Sequence, residues 1–338
     1  GSGDDLAVTT GSGDTFVTGL DSGDTVTIDA SELSSGDTLT IDGDSTFVVN
    51  NVASGVIVDA DGDATDSDTA LVGGLTVNLD SGATNVQVKT GDADTTVSGG
   101  SSVSIAGDEM TDDNTLTITG AAAATVSGAV GDVDASNLTG PLAVTTDTAT
   151  DNGVAVTTGT GDTTVTASSG DTVTIDADLL ADDSGDANSL SVSGDGQISV
   201  DNLEANIDAT SGVGKLDIDL ALPSDNDIRI ESDRTTDIRA GLLEADNTLE
   251  LAGSGDLNVL RTGESGGLNL DDGLTAKTVD AGATSGKVTI NTAPIAGTQQ
   301  TAQVDPLTLA AAQTEAYLDV KAGTGDLHVI ADDSQSGD

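Results

Sequence analysis

The chain has 338 residues, with 43 Gly, no Cys, no Trp, one Tyr, two Phe and one His, and 59 Asp+Glu against nine Lys+Arg give a formal net charge of -50. That composition argues against a disulfide scaffold, a cysteine metal centre, a nucleic-acid-binding surface and a core built on aromatic side chains. No apolar run approaches the roughly 18 residues that a membrane-spanning helix requires.

High net charge with few aromatics is also the signature of disorder. Here, however, the apolar fraction is 36% and consists mostly of Val, Leu, Ile and Ala in short alternating runs. Such runs can bury a thin aliphatic core, so a folded chain helped by cations is expected. The acid is chiefly Asp, with eight Glu among the 59 acids. Asp closes tight turns and ligates hard cations from loops, which a salt-adapted surface would not specifically require. Lys89 is the only base before Lys215; Arg229, Arg234, Arg239, Arg261, Lys277, Lys287 and Lys321 follow. Surface ion pairs are the expected role for most of them.

Strand periodicity begins early. Val26-Thr-Ile28, Leu39-Thr-Ile41, Val56-Ile-Val58, Leu75-Thr-Val77 and Val86-Gln-Val88 are followed by Leu116-Thr-Ile118, Val173-Thr-Ile175, Leu190-Ser-Val192 and Leu216-Asp-Ile218. Gly-Asp, Ser-Gly and Asp-Asn separate them, which is the pattern of short strands and turns. The segment Leu6–Val17 matches Val154–Val165 almost residue for residue, and both continue into Gly-Asp-Thr-Val-Thr-Ile-Asp-Ala. Weaker copies start near Val86 and Ile228. Corners carrying Leu33, Met110, Leu180 and Leu243 come next, each leading into an acidic approach to a strand. A unit of about 60–80 residues with six or seven strands therefore recurs roughly four times. Such units bury their apolar faces by stacking, and the spacing predicts an all-β fold, a parallel right-handed β-solenoid (β-helix) with two or three coils per unit.

The repetitive solenoid is expected over residues 1–291, with an irregular insertion over 292–316 and a terminal partial repeat over 317–338. The insertion carries Pro294 and Pro306, and Leu307–Ala316 is expected to form a short helix. The opening and closing phrases resemble each other and carry no capping helix, so the chain is expected to be either a fragment of a longer repetitive protein or one whose terminal segments are surfaces for homo-oligomer or polymer formation.

The leading metal-ligand candidates are Asp59, Asp61, Asp63, Asp66 and Asp68. Alternate carboxylates in a Gly-containing loop can converge on Ca²⁺, although the spacing is not that of an EF-hand. Asp112 with Asp113, and Asp182 and Asp183 with Asp186, are secondary candidates at equivalent corners. The tetrads Gly11-Ser-Gly-Asp14, Gly159-Thr-Gly-Asp162, Gly253-Ser-Gly-Asp256 and Gly323-Thr-Gly-Asp326 are expected to be tight turns with Gly at positive φ and Asp closing the corner.

These Thr/Val/Gly/Asp-rich units, with phrases such as Val130-Gly-Asp-Val-Asp-Ala-Ser-Asn-Leu-Thr-Gly140, resemble the repeats of bacterial surface-layer proteins and large calcium-dependent adhesins. They lack the strict nonapeptide of the calcium β-roll. The resemblance covers nearly all of the chain and implies an extracellular, self-associating structural protein ordered by several Ca²⁺ ions, with cell-surface polysaccharide as a partner. A stalk of a calcium-dependent adhesin is the alternative.

Enzyme chemistry is not expected. His328 lies in a strand-like Leu-His-Val, and the aromatics Phe16, Phe47 and Tyr317 are too few for a sugar cleft, though paired carboxylates leave a β-helix polysaccharide enzyme as a second alternative. Thr-x-Thr triplets such as Thr25/Thr27 and Thr115/Thr117 would rank hydroxyls on a solvated face, as an ice-binding surface does. Favoured solvated-strand Thr is the plainer account.

Overall fold

The structure is a computed structural model and describes residues 5–61, 70–120, 123–148, 153–180, 189–220, 227–240, 248–260, 278–292, 304–305, 308–309 and 319–331. They form two compact units, Gly1–Val173 and Thr174–Asp338. Each is a β-solenoid of parallel strands, and the described residues contain no helix.

The first unit opens with β1 (Leu6–Thr9), β2 (Thr15–Gly19), β3 (Thr25–Asp29), β4 (Thr38–Gly43), β5 (Thr46–Val52) and β6 (Ile57–Asp59). It continues with β7 (Leu75–Leu79), β8 (Val86–Lys89), β9 (Thr95–Ser98), β10 (Ser102–Ala106) and β11 (Thr115–Gly120). Then come β12 (Ala123–Ala129), β13 (Asp132–Leu138), β14 (Leu142–Thr146), β15 (Gly153–Thr157) and β16 (Thr163–Ala167), and the division between units falls within β17 (Thr172–Asp176). Odd strands pair with odd and even with even, so every coil supplies one strand to each of two sheets. The strands per coil, which spacing alone leaves open, are thus two.

The second unit holds β18 (Ser189–Gly194), β19 (Gln197–Leu203), β20 (Asn206–Ala209), β21 (Leu216–Leu220), β22 (Ile228–Ser232) and β23 (Thr236–Arg239). After them run β24 (Thr248–Gly253), β25 (Leu257–Leu260), β26 (Thr278–Thr284), β27 (Val288–Thr292), β28 (Val304–Asp305), β29 (Thr308–Leu309), β30 (Asp319–Lys321) and β31 (Leu327–Ala331). Its sheets repeat the arrangement, with β30 on β26 and β31 on β27. The expected helix over 307–316 is corrected only at Thr308–Leu309, which is strand β29 paired antiparallel with β28; residues 307 and 310–316 lie outside the described residues. Alternating Val304-Asp-Pro-Leu-Thr-Leu309 carries β-branched residues and a proline that cannot donate to a helix ladder.

Parallel sheets usually read as continuous apolar runs because both faces are covered. These strands alternate instead, because one face of each sheet lines the interior and the other meets solvent. Val26, Phe47, Leu75, Thr95, Leu116 and Val133 succeed one another up an inward column of the first unit. Leu39, Val58, Val88, Ile105, Val126 and Val144 form its counterpart in the other sheet. In the second unit Ile198, Leu216, Thr236, Leu257 and Val288 do the same. Phe47 is fully buried and is the only buried aromatic among the described residues. The Thr236 hydroxyl, buried in such a column, is satisfied by Ser232 Oγ at 2.9 Å and the Arg234 carbonyl at 3.2 Å.

A seven-strand period explains the units visible in the sequence. Strands β4, β11 and β18 share one burial alternation and end in Gly43, Gly120 and Gly194, all at positive φ. Each is followed by a seven-residue strand, β5, β12 or β19, with a bulge at Val49/Val52, Val126/Ala129 or Val200/Leu203. Asn51, Gly128 and Asn202 take the left-handed conformation there, as bulge geometry requires. Seven is odd, so within the first unit β4 and β11 lie in different sheets. The corner residues Leu33, Met110 and Leu180 are buried, as their size predicts; Leu243 lies outside the described residues.

Candidate functional site: acidic corners and coil edges

Corners are where successive backbones come closest. A Cβ built on Gly159 would stand 1.9 Å from the Leu138 carbonyl oxygen, one on Gly214 1.7 Å from that of Gly196, and one on Gly325 1.8 Å from that of Gly286. No side chain fits at such distances. This corrects the reading of the Gly-x-Gly-Asp tetrads as positive-φ turns. Gly13 and Gly253 do take positive φ, but Gly159, Gly161, Gly255, Gly323 and Gly325 do not, and close approach of the neighbouring coil selects them instead.

The aspartates at these corners reach between coils. Asp14 Oδ1 accepts the backbone N–H of Thr38 at 2.9 Å, Asp94 that of Thr115 at 2.9 Å, and Asp132 that of Ala155 at 2.8 Å. In the second unit Asp227 receives Thr248 N–H at 2.6 Å and Asp256 receives Lys287 N–H at 3.1 Å. Asn206 performs the same task for Arg229 at 2.8 Å. In each case the acceptor immediately precedes or opens a strand and holds the donor at the matching place one coil later. Satisfying a strand-entry N–H with a short side chain accounts for Asp over Glu at these corners. The sequence carried a signal for this clamp: an Asp directly before the first inward residue of strand after strand.

Of the metal-ligand candidates, Asp59 and Asp61 come together. Lys89 on β8 stands beside Asp59 in register, and its ammonium lies 2.9 Å from Asp59 Oδ2 and 3.0 Å from Asp61 Oδ2. Two carboxylates thus converge, but on a lysine nitrogen. Ca²⁺ takes six to eight oxygens, and the described part of this cluster supplies two carboxylates whose shared focus is filled by Lys89. Sequence reading missed this partner, which lies one coil away. Asp63, Asp66 and Asp68 lie outside the described residues, as do Asp182, Asp183 and Asp186. Asp112 and Asp113 are exposed on the turn before β11. Among the described residues no three His, Cys, Asp or Glu side chains gather as a metal-binding group.

The cluster has a distinctive protonation chemistry. Burial, then the hydrogen bond and negative charge of Asp59, push the Asp61 carboxyl up to about 6 against the pull of Lys89. Burial also works to raise Asp59, but the Asp61 hydrogen bond and the Lys89 ammonium outweigh it and hold Asp59 below the ordinary carboxylate range. Lys89 is raised, first by its hydrogen bond to Asp59. Because the Asp61 value is higher folded than the ordinary 3.8, the folded chain keeps a proton there that the unfolded chain has released. Its contribution to stability is therefore fully present below about pH 4 and is lost as pH rises through about 6. Carboxyl NMR titration is expected to show the Asp61 midpoint near 6, and Asp61→Asn to remove the matching slope from the stability profile.

Other bases also serve as internal counter-ions. Lys215 meets Asp217 and Asp237, both at 2.9 Å; Arg239 meets Asp219 at 3.0 Å; and Lys321 meets Asp280 at 2.8 Å. Arg229 lies between Glu231, at 2.7 Å, and Glu250. Arg234 is different: 3% exposed, it gives Nη2 to the carbonyls of Ser211 and Gly194, and burial lowers its pKa. Gly212 leaves the room this side chain occupies.

Among the described residues of the first unit, the outward face of the odd-strand sheet does not form paired threonine ranks. One column runs Thr27, Val48, Thr76, Thr96, Thr117, Asp134, and its neighbour runs Asp29, Asn50, Asn78, Ser98, Thr119. The second is a polar ladder, with Asn78 Nδ2 donating to Asn50 Oδ1 at 2.7 Å and Ser98 Oγ to Asn78 Oδ1 at 2.6 Å.

At the coil edges the inward residues lose their cover. Among the described strands, β1 pairs only with β3 and β31 only with β27. Leu6, in register with buried Val26, is 53% exposed, and Leu327, in register with buried Val288, is 36% exposed. Phe16 on β2 is 57% exposed. On the other sheet of the second unit, β29 lies beside β30.

No known protein family, curated protein or solved structure matches the chain.

Proposed function

We propose that this is a structural protein that works outside the cell by stacking its coils against those of further copies, building a filament or surface layer. The observation that carries this reading is the pair of coil edges at β1 and β31, each of which, among the described residues, combines a strand paired on one side only with a half-exposed core-type leucine. An open parallel edge is a template for another strand of the same kind. The extracellular setting follows the resemblance to surface-layer and adhesin repeats.

At a net charge of -50, copies repel until cations screen them. Calcium at Asp-rich turns is the proposed screening ion, in addition to the internal counter-ions already described. Negative-stain electron microscopy in low salt, in calcium and after chelation tests the reading. Ordered filaments or lattices in calcium that dissolve on chelation are expected. Monodisperse particles in every condition, including molar NaCl, would overturn self-assembly and favour the stalk of a calcium-dependent adhesin.

A further inference from the structure

The register of the junction between copies can be drawn from a junction the chain already contains. The coil that opens with Leu6-Ala-Val-Thr-Thr-Gly-Ser-Gly-Asp14 has a near duplicate in Val154-Ala-Val-Thr-Thr-Gly-Thr-Gly-Asp162. The duplicate is not at an edge. On the side that β1 leaves open, β15 has β13, with Val133 beside Val156 and Asp134 beside Thr157. The Asp132 carboxylate completes the join by accepting the Ala155 N–H at 2.8 Å.

Strand β31 opens in the same way as β13. Asp326-Leu327-His328 stands where Asp132-Val133-Asp134 does, with acid, inward aliphatic and outward polar residue in order. Asp326 and Leu327 are exposed. The edge at β1 offers Ala7-Val8-Thr9 in place of Ala155-Val156-Thr157.

We propose that β31 of one copy adds to β1 of a second copy in this register. Leu327 lies beside Val8 and His328 beside Thr9, and the Asp326 carboxylate receives the Ala7 N–H. The inference rests on the self-assembly reading and specifies the partner surface. The corner clamp makes the junction directional, because every clamp described above runs from an acceptor to an N–H one coil later. A one-residue slip would turn Leu327 and Val8 to opposite faces, and a two-residue slip would move the carboxylate off its donor.

The chain has no cysteine, which makes the register measurable by disulfide trapping. Neighbouring strands lie about 4.8 Å apart, within the Cα separation a disulfide spans. Thr9 and His328 are both exposed, so Thr9→Cys with His328→Cys leaves the core untouched. Under mild oxidation in the salt that gives assemblies, this double variant is expected to yield a ladder of covalent multimers on a non-reducing denaturing gel. Ala7→Cys with His328→Cys, displaced by two residues on the same face, is expected to give at least tenfold less. Preferential linkage of the displaced pair would overturn the register. Linkage of neither pair, while sedimentation still shows association, would overturn the β31–β1 junction and leave self-assembly standing. No association of the unsubstituted chain in any salt would overturn both.

Discussion

A Gly214→Ala chain is expected to lose about 3 kcal/mol or more of stability in urea unfolding followed by circular dichroism. The new methyl would lie 1.7 Å from the Gly196 carbonyl oxygen and 2.7 Å from its carbon, both backbone atoms that cannot rotate away. Coils would have to separate at that corner, stretching the ladder between β19 and β21 that begins two residues on, at Leu216. Overpacking in ordinary cores typically costs about 1–3 kcal/mol because side chains yield. Here only the main chain can yield. The control is Gly153→Ala, where a Cβ meets nothing within 4 Å and φ is not positive. That change is expected to be neutral or to stabilise by up to about 1 kcal/mol through the unfolded state. Equal losses at the two positions would show that close approach does not select glycine in these corners.

Phe47→Ala is expected to cost about 3–5 kcal/mol, the range for removing a buried aromatic ring. Phe47 stands fully buried between Val26 and Leu75 in its inward column. Neighbours in a core made of Val, Leu and Ile on rigid, hydrogen-bonded strands cannot easily collapse into the space. Phe16→Ala supplies the contrast within the same protein. Phe16 points outward from an edge strand, and its loss should change monomer stability by no more than about 0.5 kcal/mol. A small effect at Phe47 would mean that the thin interior relaxes around cavities as a thicker core does not.

The fold was legible wherever one residue type answers to one physical demand. Alternation of Val26-Thr27-Ile28 or Leu116-Thr117-Ile118 has period two, and only strands with one wet face require it. Coil length was not legible, because the recurring unit of the sequence spans seven strands while the coil spans two, and no local pattern marks the coil. The tetrad glycines show a different ambiguity. Positive φ, as at Gly253, and close approach, as at Gly255, both select glycine, so sequence alone cannot separate them. Acids were ambiguous for a similar reason. Asp14 and Asp256 clamp an N–H one coil away, while Asp59 and Asp61 hold Lys89. Sequence shows the carboxylates in both cases; only the register of β6 and β8 brings in the lysine. At Thr308–Leu309 a run rich in Leu and Ala favoured helix, and the alternation of the flanking Val304–Leu309 prevailed locally.

The odd number of strands in the seven-strand unit bears on how such a chain can grow. If both sheets make the same demand of every strand, apolar in and polar out, duplication or loss of a segment need not conserve whole coils. A copied phrase that arrives on the opposite sheet still buries its Val, Leu and Ile, as β4 and β11 do. Its Thr, Asn and Asp then decorate the other flank. A phrase copied one unit of seven strands along therefore changes flank, and one copied two units along returns to its own, as the nearly identical β1 and β15 do within the first unit.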